Sequence, residues 1–383
     1  MLSGVRVLDL SRVLAGPLAG MILGDLGADV LKVERPGAGD DTRSWGPPFD
    51  DRGESAYYLS ANRNKLGVAA DLGLPADRAL LERLIGEADV VLENFRPGTL
   101  EKRGLGADAM LARHPRLVWC TITGFGLESP RPGYDFVVQA ESGWMAITGE
   151  AAGGPMKVGV ALADVLAGKD AAIAILGALA ARGLAASRAV GVGGSGLGAM
   201  PAAHRRLSVS LAHSATAALV NVAQNALVTG QEARRWGNAH PNLVPYELFE
   251  ASDRPFVIAV GNDQQFAACA RALGLDTLAQ DPALATNAGR LAARARVVNA
   301  IAVHVRGAPA AHWIARLEDA GVPCGVVKPV LEALRAVDAS ALTGVAPQRP
   351  GRVRHAPPRL DEHGAAVRAH GWGAFGAAGA SSG

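Results

Sequence analysis

Short apolar runs alternate with helical, small-residue segments through the first third of the chain, and this alternation restricts the fold more than any other feature. Residues 5–10 and 29–34 are apolar runs of strand length, and residues 18–26 between them follow a helical pattern that stops at Gly27. The pattern recurs in helices predicted at 76–88 and 99–113 and in strands predicted at 89–93 and 117–122. Repeated β-α-β units have right-handed crossovers and build parallel sheets, so the sequence predicts an α/β fold on a doubly wound parallel sheet.

Ligands of such sheets bind beyond the carboxyl ends of the strands, so the residues that follow each predicted strand are the first candidates for a site. Three of these ends carry suggestive side chains, at residues 11–16, 34–35 and 93–96. Glu34 stands where a dinucleotide-binding fold contacts the ribose, but the glycine fingerprint is missing, and Pro17 lacks an amide that could face a phosphate. The sequence therefore disfavours NAD or FAD.

The composition is that of a globular protein without a nucleic-acid partner. Of the 383 residues, 49% are hydrophobic and 19% are charged, which excludes a disordered chain. The 38 basic residues nearly balance the 36 acidic ones, and no dense basic run appears. A local basic site for a phosphorylated ligand is still compatible with this balance.

The cysteines and the apolar runs indicate a reduced setting away from membranes. There are three widely separated cysteines (Cys120, Cys269 and Cys324), which support neither a disulfide framework nor a zinc site. Charged residues interrupt the first twelve positions, so we expect no signal peptide. The longest apolar stretch, residues 171–181, is too short to span a bilayer and predicts a buried helix. We expect a cytoplasmic protein.

The rest of the chain divides by composition. Residues 183–206 are rich in Gly, Ala, Ser and Arg, which predicts a flexible connection, and residues 207–231 follow a long helical pattern. Residues 238–334 form a mixed α/β segment. The tail from residue 349 is rich in Pro, Gly and Arg, and we expect residues 376–383 to be disordered.

Five basic residues lie near predicted strand ends or the turns that follow them: Arg35, Lys65, Arg96, Lys102 and Arg103. In a doubly wound sheet such positions can converge, and a convergent basic rim would bind a polyphosphate. The alternative is scattered surface charge.

Asp164 and His240 are the other polar candidates. Asp164 is one acid in an apolar run just before a predicted buried helix, where it would either cap the helix or act as a nucleophile. His240 lies in a polar loop with no acid, nucleophile or second metal ligand at a suitable spacing. An ordinary loop role is the simpler interpretation of His240.

An ordered set of motifs runs through most of the chain. The set comprises Leu14-Ala15-Gly16-Pro17, residues 26–30, Lys32-Val33-Glu34, Asn62-Arg63-Asn64-Lys65, residues 88–98, Gly124-Phe125-Gly126, Tyr134-Asp135, Asp164 with Gly168, residues 237–242 and residues 321–325. In this order they resemble the class III CoA-transferase family, which includes formyl-CoA and carnitine CoA-transferases and 2-methylacyl-CoA racemases. The resemblance covers roughly residues 1–182 and 208–334.

The resemblance implies a two-domain subunit and an interlocked homodimer. The expected boundaries are a Rossmann-like large CoA-binding domain from 1–206, connecting helices at 207–237, a smaller α/β domain at 238–334, and a segment at 335–383 that returns to the large domain. Acyl-CoA and carboxylic acid substrates are the expected partners, with no membrane or nucleic acid.

The resemblance also implies that Asp164 is the nucleophile. Its carboxylate would form a mixed anhydride with the acyl group and then an aspartyl-CoA thioester, so no metal or permanently bound cofactor is expected and coenzyme A is a substrate. The residues expected to contact CoA are Val13, Ala15, Arg35, Ala70, Gly73, Asn94, Phe95 and Lys102. Among these, Arg35 and Lys102 would face phosphates and Phe95 the adenine. Lys65 and Arg96 are further candidates on charge alone.

The predicted activity is transfer of CoA from an acyl-CoA such as succinyl-CoA to a carboxylic acid. Residues 237–242, which include His240, resemble members that act on dicarboxylates. The candidate substrate contacts are Tyr134, Asp135 and His240. A racemase would need a histidine in the segment before Val137, where residues 133–136 have none. A catalytically silent CoA-binding protein is the other alternative, because residues 183–214 depart from the family pattern.

Overall fold

The computed structural model describes residues 1–191, 200–347 and 350–379. The chain forms two compact units. The first unit comprises Met1–Met145, Lys157–Gln231 and Val337–Gly383, and the second comprises Ala146–Met156 and Glu232–Ala336.

A six-stranded parallel sheet forms the centre of the first unit, in the order β3-β2-β1-β4-β5-β6. Its strands are β1 (Arg6–Asp9), β2 (Asp29–Glu34), β3 (Lys65–Ala69), β4 (Val90–Glu93), β5 (Val118–Thr123) and β6 (Arg206–Ser210). The register places Val7 of β1 between Val30 of β2 and Val90 of β4. The parallel α/β sheet predicted from the sequence is confirmed.

Ten helices occur among the described residues up to residue 231. They are α1 (Ala15–Asp25), α2 (Ala56–Leu59), α3 (Pro75–Glu87), α4 (Ala107–Arg113), α5 (Asp135–Glu141), α6 (Trp144–Ile147), α7 (Leu162–Gly191), α8 (Ala202–Arg205), α9 (Leu211–Ala217) and α10 (Val220–Thr229), with 3₁₀ turns at Asp41–Ser44 and Glu101–Arg103.

The second unit has an antiparallel three-stranded sheet covered by helices. Its strands are β7 (Tyr246–Glu250), β8 (Pro255–Ala259) and β9 (Cys324–Val326), and its helices are α11 (Asp263–Ala272), α12 (Asp276–Ala279), α13 (Asn287–Ala292), α14 (Arg294–Val305), α15 (Ala310–Asp319) and α16 (Val330–Leu334), with a 3₁₀ turn at Pro282–Leu284. Its core includes Phe256, Phe266 and Trp313.

The C-terminal segment belongs to the first unit. It contains the hairpin β10 (Ala339–Ser340) and β11 (Gly344–Val345), the helices α17 (Gly364–His370) and α18 (Ala374–Gly379), and a 3₁₀ turn at Gly371–Gly373. Trp372 Nε1 donates to Leu84 O of α3 at 3.1 Å, which ties the segment to the sheet's helical cover. The end expected to be disordered from residue 376 is helical as far as Gly379, and residues 380–383 lie outside the described residues.

The central strands bury side chains on both faces, as a doubly covered parallel sheet requires. Leu8 of β1 lies in the cluster formed with α3, α4 and the C-terminal helices, whereas Val7 lies in the cluster formed with α1 and α7. Gly168 lets α7 approach α1 closely, because a Cβ at this position would lie 2.6 Å from Ala15 O. This close approach brings the first turns of α1 and α7 together.

Two sequence predictions between residues 162 and 231 need correction. The predicted connection at 183–206 is helical as far as Gly191, where α7 ends, and helical again in α8; residues 192–199 lie outside the described residues. The predicted helix over 207–231 begins instead as strand β6, because Leu207 and Val209 pair with Cys120 and Ile122 of β5. Residues 207–231 lie in the first unit, and the expected boundary of the connecting helices at 207–237 stays a prediction.

The helix predicted at 171–181 is half-buried, not buried. Ala171 and Ile175, on successive turns of one face of α7, lie in the core, but Ile173 on the other face is 66% exposed. No helix among the described residues is both long and apolar enough to cross a membrane.

Candidate active site

The carboxyl edge of the parallel sheet carries a cavity of about 200 Å³, where α/β sheets bind their ligands. Segments that follow β1, β4 and β5 form its walls, and the first turn of α7 closes it with Asp164. Its lining includes Val13, Ala15, Asn94 and Phe95, four of the residues expected to contact CoA. We call it the acid cavity, after Asp164.

Asp164 is a buried carboxyl group whose pKa is raised. The residue is 9% exposed, and burial together with the nearby Asp135 carboxylate raises its pKa to about 7, while a hydrogen bond from the backbone of Ala15 acts in the opposite direction. Asp164 is the third residue of α7, whereas a capping residue precedes the first helical residue. The capping alternative for Asp164 is therefore wrong.

Asp135 accepts the amide at the start of α7 instead. Its Oδ1 accepts from Ala163 N at 2.7 Å, and its Oδ2 accepts from Gln139 Nε2 at 2.7 Å. Gln139 in turn accepts from Val158 N at 2.8 Å, so α5 fixes the chain that leads into α7. Both carboxylate oxygens of Asp135 therefore bind groups of the protein, in α5 and at the start of α7. The expected contact of Asp135 with substrate stays a prediction.

Asn94 holds the segment that follows β1. Its Oδ1 accepts from Arg12 N at 2.9 Å, and its Nδ2 donates to Arg12 O at 2.8 Å. The Arg12 guanidinium lies 5.7 Å from the centre of the Phe95 ring and 3.2 Å from Asp41 Oδ2. Both polar ends of the Asn94 amide are thereby occupied, so Asn94 fixes the shape of this wall, and its expected contact with CoA stays a prediction.

A second cavity, of about 210 Å³, shares Arg12 and Phe95 with the acid cavity. It is lined by Arg35 and Ala70, two more residues expected to contact CoA. The two cavities therefore bring six of the eight expected CoA contacts to one edge of the sheet. Among the described residues, the exceptions are the exposed Gly73 and Lys102, which line neither cavity.

Lys65, a further candidate for CoA binding on charge alone, does not lie where it could contact a phosphate. Its side chain is completely buried, and Nζ donates to Asp9 Oδ2 at 2.9 Å, Pro17 O at 2.8 Å and Asn62 Oδ1 at 2.8 Å. All three donors of the ammonium group are used inside the fold. Arg35, by contrast, is half-exposed and forms an ion pair with Asp41, and Arg96 lines the acid cavity.

Tyr57 is a functional candidate that the sequence analysis missed. Burial raises its pKa to about 12, and the carboxylates of Asp164, Asp135 and Asp40 add to the shift. The hydroxyl is therefore neutral and lies within the electrostatic reach of Asp164. Tyr57 belongs to the short helix α2 and to no motif, so only the tertiary structure reveals its proximity.

The sequence matches the model of one protein family, described as CoA-transferase family III, over residues 2–371. The chain belongs to CoA-transferase family III. The family and the enzyme class expected from the motifs are thereby confirmed.

Relatives of this family III chain carry CoA-transferase names. A succinate–glutarate CoA-transferase from Agrobacterium fabrum is 39% identical over 395 residues, which cover 96% of this chain and 95% of the relative. The mouse succinyl-CoA:glutarate CoA-transferase is 42% identical over 85% of this chain and 72% of its own length. An acetyl-CoA:oxalate CoA-transferase from Acetobacter aceti is 36% identical over 95% of this chain and 94% of its own length.

Solved structures share the fold over nearly the whole length. The crystal structure of a CAIB/BAIF family protein from Brucella suis has a TM-score of 0.79 and 38% identity, covering 96% of this chain and 98% of that one. A hypothetical protein from Mycobacterium tuberculosis has a TM-score of 0.78 and 28% identity, covering 96% and 99%.

The two remaining candidate substrate contacts of this family III chain lie in different units. Tyr134 lines the acid cavity and is 59% exposed. His240 belongs to the second unit, where its Nδ1 accepts from Asn242 N at 3.0 Å and its ring lies 5.1 Å from that of Tyr246. Burial and the nearby Arg294 guanidinium lower the pKa of His240, so it is neutral near pH 7.

A metal role has no support in the part of the chain that the structure describes. No three His, Cys, Asp or Glu side chains there form a group that could hold a metal ion. The polar groups around the acid cavity are carboxylates, guanidinium groups and backbone amides, which suit covalent acyl chemistry and anion binding.

Proposed function

We propose that this chain transfers CoA from succinyl-CoA to a dicarboxylate acceptor through covalent intermediates on Asp164. The names of its relatives support the substrate class, since they include succinate, glutarate and oxalate transferases. The observation that carries the mechanism is the buried Asp164 carboxyl group on the wall of the acid cavity, within hydrogen-bond reach of the Ala15 backbone.

The reaction proceeds by exchange between anhydride and thioester. An Asp164 oxygen attacks the thioester carbonyl of succinyl-CoA, which forms a mixed anhydride and expels the CoA thiolate. The thiolate attacks the Asp164 acyl carbon, which gives an aspartyl-CoA thioester and free succinate. The acceptor carboxylate then expels the thiolate to form a second anhydride. The thiolate attacks the acceptor acyl carbon, so the new CoA ester leaves and Asp164 returns to a carboxylate.

The surroundings of Asp164 suit these steps. Burial keeps water from the anhydride and the thioester, both of which hydrolyse readily. The Ala15 amide, at the N-terminus of α1, donates to this carboxyl group and favours negative charge there. Because only the ionised carboxylate attacks, a pKa of about 7 makes the rate rise with pH through that region.

CoA would extend from the acid cavity into the second cavity. Val13, Ala15 and Asn94 would contact the pantetheine end, and Phe95, shared by both cavities, would stack on the adenine. Arg35 lines the second cavity and would bind a phosphate. Gly73 and Lys102 would contact CoA only at its solvent-exposed end.

The test follows the CoA esters and the enzyme together. Wild-type protein mixed with succinyl-CoA and glutarate is expected to form glutaryl-CoA, detected by mass spectrometry, and hydroxylamine added during turnover is expected to modify Asp164. Asp164→Asn is expected to lose transfer. Asp170→Asn is the matched control, because Asp170 is exposed on the same helix, and it is expected to transfer at the wild-type rate.

Other outcomes would support the alternatives. CoA binding without modification of Asp164 would indicate a silent binding protein. Exchange of an α-proton of a 2-methylacyl-CoA with deuterated solvent would indicate a racemase, although no histidine lines the acid cavity among the described residues. Retained transfer in Asp164→Asn would mean that another residue is the nucleophile.

We also propose an interlocked homodimer in the cytoplasm. Three residues of α10 are strongly exposed in the single chain, Val220 at 69%, Leu227 at 78% and Val228 at 76%, and a second subunit would cover them. The three cysteines are free, which is compatible with a reducing compartment.

A further inference from the structure

The segment between β1 and α1, residues 10–14, contains an unusual backbone conformation. Val13 has a φ of 72°, in the left-handed region that β-branched residues avoid. Such a conformation persists only where the surrounding structure enforces it, and it is most often found at functional sites. Val13 lines the acid cavity, two residues before the Ala15 amide that bonds to Asp164.

The side chains of Asp9, Asp40 and Asn94 bind the backbone of this segment. Ser11 N donates to Asp9 Oδ1 at 3.0 Å. The Asn94 side chain accepts from the N–H of Arg12 and donates to its C=O. Val13 N donates to both carboxylate oxygens of Asp40, at 3.2 Å each. The backbone of residues 11–13 is therefore held from several sides at once.

Lys32 and Asp40 form the centre of this arrangement. Lys32 Nζ donates to Asp40 Oδ2 and to Ser11 O, both at 3.0 Å, and both side chains are completely buried. Thr42 fixes the carboxylate further, donating to Asp40 Oδ1 from its backbone N at 3.0 Å and from Oγ1 at 2.9 Å. One ammonium group thus bridges the carbonyl before Arg12 and the carboxylate that binds the amide after it.

Both groups of the pair are charged. Burial alone would raise the pKa of Asp40, but the Lys32 ammonium and the Thr42 hydrogen bonds outweigh it and lower that pKa. Burial would lower the pKa of Lys32, but the carboxylates of Asp40 and Asp9 outweigh it and raise that pKa. A buried ion pair of this kind contributes little net stability, and structural specificity is one role that explains its presence.

Building on the proposed role of Asp164, we infer that Lys32 and Asp40 are positioning residues that hold Val13 left-handed and so aim the first amide of α1 at Asp164. Without the pair, Val13 relaxes to a negative φ, the start of α1 shifts, and the hydrogen bond from Ala15 to Asp164 is lost. A merely stabilising pair would not act through the Val13 backbone.

The test combines removal of the pair with release of the strain. Asp40→Asn puts an NH₂ group against the donors of Lys32, Thr42 or Val13, and kcat for CoA transfer is expected to fall roughly tenfold to a hundredfold. Adding Val13→Gly is expected to recover most of that loss, because glycine adopts the left-handed conformation without help. Wild-type kcat in Asp40→Asn, or no recovery in the double variant, would overturn the inference.

Asp89→Asn is the matched control. Asp89 accepts from Arg6 N at 3.0 Å and pairs with Arg182 at 2.8 Å, as Asp40 pairs with a backbone amide and a cation, but it lies at the opposite, amino-terminal edge of the sheet. Its kcat is expected to stay at the wild-type value. If Asp40→Asn does not fold, Thr42→Val is the substitute, because it removes one hydrogen bond to the Asp40 carboxylate and leaves its charge in place. Its kcat is expected to fall about threefold, and Val13→Gly is expected to reverse that fall.

Crystal structures of these variants give a readout that does not depend on turnover. Asp40→Asn is expected to show Val13 at negative φ and Ala15 N out of hydrogen-bond distance of Asp164, and the double variant is expected to restore both. An unchanged Val13 and an intact Ala15–Asp164 hydrogen bond in Asp40→Asn would overturn the inference, whether or not the wild type transfers CoA. Absence of CoA transfer by the wild type would count against the proposed function instead.

Discussion

The protonated form of Asp164 favours the stability of the fold, whereas the proposed reaction needs its ionised form. Burial beside Asp135 raises its pKa from 3.8 to about 7, so the folded state keeps a proton that the unfolded state loses. The free energy of unfolding therefore falls as pH rises from about 4 to about 7 and stays low above that range. At about 1.4 kcal/mol for each pKa unit, the ionised carboxylate costs about 4 kcal/mol.

Asp164→Asn is accordingly expected to stabilise the protein at pH 8, by up to about 4 kcal/mol, and to have little effect at pH 4. Urea unfolding at the two pH values measures the difference. Asp170→Asn, on the exposed side of the same helix, is expected to show no such pH-dependent gain. An equal effect of Asp164→Asn at both pH values would contradict a raised pKa.

The sequence allowed some site residues to be predicted and misled for Lys65. Asp164 and Asn94 could be singled out because each belongs to a motif at a strand or helix end. Lys65 belongs to a motif too, but its side chain passes under α1, where Gly20 leaves room, to reach Asp9. In the sequence, a buried lysine near a strand looks the same as one that binds a phosphate. Only the packing of the folded chain distinguishes the two.

At the scale of helices and strands, the position of α7 against α1 decides where Asp164 lies. A Cβ at Gly168 would meet Ala15 O at 2.6 Å and Leu18 Cβ at 3.3 Å, and backbone atoms give way only when the helices move apart. Gly168→Ala is therefore expected to lower stability by about 1–3 kcal/mol and to lower kcat, because Asp164 moves away from the Ala15 amide.

Gly177→Ala is the control on the same helix. A Cβ at Gly177 would meet nothing within 4 Å, so alanine is expected to leave kcat unchanged and to stabilise the helix by about 0.5–1 kcal/mol. Thermal unfolding and the transfer assay measure both variants. Equal behaviour of the two alanine variants would mean that the α1–α7 contact does not position Asp164.

The elements that the sequence predicted well are those with a strong local pattern. β1, α1 and β2 follow from apolar runs and a glycine stop. β6 was missed because it is only five residues long and directly follows residues whose composition is typical of a connection, and its pairing partner β5 lies more than 80 residues earlier in the chain. Strand pairing over such a separation leaves no local signal.

At the scale of the whole molecule, the exposed apolar residues of α10 are the part of the first unit best suited to the proposed dimer contact. Leu227 and Val228 are 78% and 76% exposed at the end of a helix in the first unit, and adjacent apolar side chains of this exposure are typical of an interface. If that partner is a second copy of the chain, light scattering is expected to give twice the 39.3 kDa mass of one chain.

The double variant Leu227→Glu/Val228→Glu is expected to form less dimer, because each glutamate must be desolvated in the interface. Since interlocked subunits separate only when they unfold, the same variant is expected to lower the unfolding temperature, and dilution of the wild type is expected to leave its mass unchanged. Val303→Glu, 73% exposed on α14 of the second unit, is the matched control and is expected to change neither quantity.

A wild-type mass of one chain at all concentrations would contradict the dimer. A mass that falls on dilution would contradict interlocking, because subunits held only by their surfaces dissociate by mass action.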